Sequence, residues 1–181
     1  MKLLCDTWFN GLADNAAHEQ RLAPLPKRWQ RYAPATKACW LAVADALAQT
    51  KSNEPQRIGC VVAGLEGCHA ENTAYFSDYL EGGRTLGRSA LFIHTLPTSS
   101  AAECGLHFGL GGPLLYALAE DGRFEDALAL AESCLSQDGV DMMLVLPQFK
   151  HCAGCLALTR GEGLAPEWRD FEIEKIISQA G

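Results

Sequence analysis

Two short runs constrain the fold more than anything else in the chain: IGCVVAGL at residues 58–65 and VDMMLVL at residues 140–146. A strand with one wet face alternates apolar and polar side chains, whereas a strand covered on both faces reads as an almost unbroken apolar run. Both runs are of the second kind. They must sit in the middle of a sheet with helices above and below it.

The segments between them supply the helices. Pro34 stands where its missing N–H costs nothing, and ATKACWLAVADALAQ continues with Trp40, Val43 and Leu47 at helical spacing. Residues 71–81 carry Tyr75, Phe76, Tyr79 and Leu80 at the same spacing and stop at Gly82-Gly83. An extended piece follows from Ser89, broken at Pro97. A small-residue helix at 98–108, a glycine turn, an apolar strand at 114–119 and a helix at 123–136 complete this part.

At the ends, a strand is expected at 2–9, a short helical turn at 14–21, a last strand at 155–160 and a final helix at 166–179. The proline-rich connection LAPLPKRWQRYAP should run over the surface, with Trp29 and Tyr32 folded back as an apolar lid. The expectation is a single α/β domain spanning residues 1–181. Its five-stranded sheet is mixed but mostly parallel, with helices on both faces and the last strand antiparallel.

Composition narrows the function classes. The chain has 15 Lys plus Arg against 22 Asp plus Glu, a formal charge of −7, and no long basic run, so nucleic acid is not an expected partner. No segment approaches the roughly 18 apolar residues of a membrane span, and Asp6 and Asn10 interrupt the N-terminal apolar residues before a signal core forms. The expected compartment is the cytoplasm. There the eight cysteines would stay reduced and pack as small hydrophobes.

Few residues offer chemistry. His151, Cys152 and Cys155 spell H-C-x-x-C, but a tetrahedral metal site needs a further ligand, and the spacing sends the two thiols to opposite faces of a strand. No metal is expected. The glycines of 109–112 match neither a dinucleotide fingerprint nor a phosphate loop, and no cofactor is called for. Cys104 and His107 lie three apart on one helix, the spacing of a thiolate–imidazole pair, although a packed thiol beside a half-buried imidazole is the plainer outcome. Glu120, Asp121 and Gly122 form a turn at a helix start, where carboxylates cap the helix and stay ionised.

The stretch TLPTSSAAECGLHFGLGGPLLYA, followed by the later VDMMLVL, resembles the N-terminal half of β-ketoacyl synthases, which have the thiolase fold. FGLGGP, from Phe108 to Pro113, is similar to that family's turn almost letter for letter, and the likeness covers residues 58–158. The resemblance implies a nucleophile at or near Asp121, yet no Cys or Ser stands between Pro113 and Glu132. It also implies a second half that supplies the activating groups, and that half is expected to be missing.

SALFIHTLPTSSAAECGL and RFEDALALAESCL resemble more closely the short chain-length-factor-like proteins of aryl polyene, flexirubin and related fatty acid or polyketide systems. The resemblance implies a non-catalytic subunit that assists a full-length β-ketoacyl synthase, with an acyl carrier protein as a further candidate partner. Docking would use Leu114, Leu115, Tyr116, Ala117, Leu118 and Ala119, through which a second copy of the chain could also pair. The alternative is a small cysteine-dependent acyltransferase or hydrolase that uses Cys104 with His107.

Overall fold

A computed structural model describes residues 1–11, 24–50, 54–65, 67–84, 89–119 and 123–163. The helical turn expected at 14–21, the turn at Glu120, Asp121 and Gly122, and the helix expected at 166–179 lie outside the described residues. The described strands are β1 (Lys2–Asn10), β2 (Ile58–Gly64), β3 (Leu114–Leu118), β4 (Met142–Phe149) and β5 (Cys152–Thr159). The main helices are α1 (Pro34–Thr50), α2 (His69–Glu81), α3 (Ser99–Phe108) and α4 (Glu125–Leu135).

The strands form one sheet in the order β1-β5-β4-β2-β3. β2 is parallel to β3 and to β4, whereas β5 runs antiparallel to both β4 and β1. Four strands therefore share one direction and only β5 is reversed. This is the mostly parallel sheet that alternating elements imply, closed by a hairpin.

Two cores explain the unbroken apolar runs. On one face Cys60, Val62, Leu144, Leu146, Cys155 and Ala157 pack with α1 and α3. On the other, Val61, Ala63, Met143, Val145, Leu156 and Leu158 pack with α4 through Phe124, Leu128, Ala131 and Leu135. Every residue of β2 is buried. Covering both faces leaves no position where a polar side chain could reach water.

α1 is the helix most deeply set, with Ala38 to Val43 completely enclosed. Its Trp40 is overlaid by Trp29, edge to face at 5.3 Å, and Tyr32 meets Trp29 at 5.9 Å. The lid therefore folds back as expected. A hydrogen bond of 2.5 Å from the Tyr32 hydroxyl to Glu103 Oε2 ties it to α3. On its inner side α1 takes a 2.8 Å bond from Thr7 Oγ1 to the Ala42 carbonyl, fastening it to β1.

Three expectations need correction. Residues from Ser89 are not extended: Ser89–Phe92 forms a helical turn that tightens into a 3-10 turn at Ile93–Thr95. Side chains close that turn, with Thr95 Oγ1 donating to the Phe92 carbonyl and Ser99 Oγ to that of Ile93. Second, β4 starts two residues later than 140 and runs on through Pro147, because Asp141 is held back by Arg57 and the strand continues until the hairpin turns. Third, β5 begins at Cys152 rather than 155, since a two-residue turn, Lys150 and His151, already pairs Phe149 with Cys152. Among the described residues no helix is long and apolar enough to cross a membrane.

The turn before β3 depends on missing side chains. Gly109 ends α3 in the left-handed region at φ 68, where glycine meets no steric penalty. At Gly112 a Cβ would lie 2.7 Å from the Gly59 nitrogen and 2.7 Å from the Ile58 carbonyl carbon, so the chain can enter beside β2 only without one. We expect Gly112→Ala to cost about 1–3 kcal/mol, as overpacking against fixed backbone does, measured as a lower midpoint in urea unfolding.

Candidate partner interface

Among the described residues, each outer strand of the sheet leaves a row of backbone donors and acceptors unpaired, and the two ends are treated differently. β1 carries Asp6, whose carboxylate accepts from Trp8 Nε1 at 3.0 Å, and its register shifts between Leu3 and Cys5. A charge and a register irregularity on an edge both discourage further pairing. β3 has the sequence LLYAL, with no charge, no proline and no register shift against β2.

Among the described residues, the hydrogen bonding of β3 fixes which of its groups are free. The Cys60 N–H donates to the Pro113 carbonyl at 2.7 Å and the Ala119 N–H to the Gly64 carbonyl at 2.9 Å. Alternation along the strand then points Leu115 and Ala117 toward β2, and Leu114, Tyr116 and Leu118 outward with both N–H and C=O. Leu118 is half exposed as well. Tyr116 is anchored by its ring, whose hydroxyl donates to the Gly64 carbonyl at 3.2 Å. The strand named in the sequence analysis is thus an outer strand of the described sheet.

The other candidates come apart in three dimensions. Cys104 points into the core, and burial with Cys60, Cys39, Cys155 and Glu103 around it pushes its thiol well above the ordinary range. His107 is not among the groups that act on it. The imidazole stacks instead against Trp40 at 5.1 Å and Phe108 at 4.7 Å, and burial lowers its pKa. A buried, protonated thiol has no nucleophilic strength at neutral pH.

Cys152 and Cys155 belong to the two different cores, one on each face of β5. They cannot share an ion. Among the described residues no three His, Cys, Asp or Glu side chains gather as a metal site. The thiols behave as small apolar groups; that of Cys39 is pushed up to about 12 by burial.

One feature escaped the sequence reading. At the C-terminal ends of β2 and β4 lies a cavity of about 290 Å³ bordered by Gly64, His69, Glu71, Gln148, Lys150 and His151. Chain continuations leave β2 toward β3 and β4 toward β5, so this is the place where open α/β sheets form a crevice. Its walls come from segments far apart in sequence, and no local motif marks them. Lys150 turns the corner at φ 51, and the His151 carbonyl accepts from the Gly11 N–H at 2.8 Å.

No protein-family model matches the chain, and no curated protein matches its sequence. Solved structures do match its fold. The complex of the ketosynthase ApeO with its chain length factor ApeC from Xenorhabdus doucetiae aligns over 91% of this chain and 82% of the matched one, with a TM-score of 0.64 at 15% identity. The chain has the ketosynthase fold.

Two further structures of that fold align over most of this chain. The type II polyketide synthase complex AntDE:AntF, an acyl-carrier protein with its ketosynthase bound to the hexaketide, gives a TM-score of 0.59 at 11% identity. The ishigamide ketosynthase/chain length factor gives 0.58 at 15%. The alignments cover 88% and 82% of this chain but only 62% and 49% of those chains. This chain therefore spans about half to two thirds of the length of these larger ketosynthase-fold chains.

The packing of Cys104 can be tested directly. In native protein at neutral pH, iodoacetamide should leave Cys104 unmodified over hours and label it within minutes after unfolding in urea, as read by peptide mass spectrometry. Fast native labelling at Cys104 would restore the cysteine-dependent reading.

Proposed function

We propose that this chain is a non-catalytic, chain-length-factor-like subunit that joins a full β-ketoacyl synthase of the same fold and serves fatty acid, aryl polyene or polyketide-type synthesis in the cytoplasm. The observation that carries this reading is the edge of β3, which no other described strand covers, in a ketosynthase fold. Left bare, such an edge is an aggregation hazard; covered by a partner strand, it contributes main-chain hydrogen bonds.

The register follows from the free groups. Antiparallel pairing with a like strand would set Tyr116 opposite its equivalent and Leu114 opposite the residue equivalent to Leu118, which uses all three outward residues at once. A twofold arrangement of this kind suits two subunits of one fold, whether a synthase and this chain or two copies of it. The lack of Cys and Ser between Pro113 and Glu132 supports a role without a nucleophile, with Asp121 near the position where the family carries one. An acyl carrier protein is the second partner on this reading.

Leu118→Pro tests the edge. The Leu118 N–H faces away from β2, so proline there removes a donor to the partner and none to the sheet. We expect the parent chain to co-purify with a ketosynthase from its own gene neighbourhood and Leu118→Pro to lose that association, with the circular dichroism spectrum unchanged. A parent chain that stays monomeric beside every such ketosynthase, or a proline variant that associates as well as the parent, overturns the proposal.

A further inference from the structure

We infer that the lobe formed by α2 and the following helical turn, through Phe76, Leu80, Phe92, Ile93 and Leu96, is the second half of the surface that binds the ketosynthase-fold partner. This rests on the reading of β3 given above and extends the interface beyond the strand. α2 is a thirteen-residue helix without one buried residue, whereas α1, α3 and α4 each bury one face or more. Among the described residues nine large apolar side chains are exposed, and these five belong to this one lobe. Phe76 is 59% exposed and Leu96 50%. Scattered exposed leucines need no explanation; a concentration of them beside a free strand does.

The lobe is not a loose appendage. The Tyr75 and Phe92 rings meet edge to face at 5.7 Å, fastening α2 to the helical turn. Asn72 Nδ2 donates to the Thr95 carbonyl at 3.3 Å, and His94 Nε2 lies 2.8 Å from the Arg31 carbonyl, which holds the turn against the lid. A pre-ordered apolar surface loses little conformational freedom on binding.

Two considerations identify the occupant. A β3 ladder of five residues falls far short of the roughly 20–30 residues a side, and more than about 1,000 Å² in total, that a stable protein interface needs. A partner on β3 must therefore reach a neighbouring surface. The lobe is that neighbour: a Cβ on Gly67, at its root, would lie 4.0 Å from both the Pro97 ring and the Tyr116 hydroxyl, and Tyr116 is the central outward residue of β3.

A lipid surface does not suit it. α2 carries Glu71, Asp78 and Glu81 and no Lys or Arg, the reverse of the basic polar face that draws a helix to anionic membranes. A protein partner with basic groups around an apolar centre fits both the charge and the side chains.

The test compares four variants of the full chain against the ketosynthase that the parent binds, by isothermal titration: Phe76→Glu, Phe76→Ser, Leu118→Pro, and Leu130→Glu on the opposite side of the molecule. We expect both Phe76 variants to weaken binding at least tenfold, Leu118→Pro to abolish it, Leu130→Glu to leave it within twofold, and the thermal midpoint of the free Phe76 variants to match the parent. Phe76 variants that bind like the parent while Leu118→Pro fails would overturn this inference and leave the β3 reading standing. Leu118→Pro binding normally would overturn the β3 reading and this inference with it. A free Phe76→Ser chain that melts well below the parent would show the patch covered by the chain itself, and so would also overturn it.

Discussion

The middle of this sheet has no wet face, and most of the remaining architecture follows from that. Because β2, β4 and β5 bury side chains on both sides, helices must cover both surfaces, and the connections must carry the chain from one to the other. α1 and α3 lie on one side and α4 on the other. The backbone groups of the central strands are spent within the sheet. What remains free lies at its two ends and at the crevice where β2 and β4 finish.

The same constraint explains the cysteine content. Cys39, Cys60, Cys104 and Cys155 converge in one core, where burial makes each thiolate costly. In such a place a thiol is a compact apolar filler, and one can stand beside another with no bond between them. The faces these thiols occupy make them core filler.

What could be read from the sequence was whatever burial writes into composition. β2 and α1 were legible almost to the residue because two-sided covering leaves an unbroken apolar run and a helix of small side chains under tryptophan. Boundaries set by turn chemistry were not. Lys150 and His151 close a two-residue hairpin without the Asn-Gly or Asp-Gly pair that usually announces one, so the sequence pattern puts the start of β5 three residues late. Ser89–Thr95 reads as extended by its side chains, yet local hydroxyl-to-carbonyl bonds wind it into a turn. For the candidate interface, the apolar character of 114–118 is plain in the sequence. Its outer place in the sheet and the alternation of its free groups needed the topology, and the exposed lobe of α2 looks from its pattern like any helix with a face to bury.

The contrast between the two outer strands has a further consequence for how large an assembly can grow. A sheet open at both sides can add chain after chain in a ribbon without end. Among the described residues, the side bearing Asp6 and the irregular register at Leu3–Cys5 discourages a newcomer, and the union proposed above would take the opposite side. A union of the proposed kind would leave no second welcoming side among the described strands, and addition would end at a pair rather than run on as a filament.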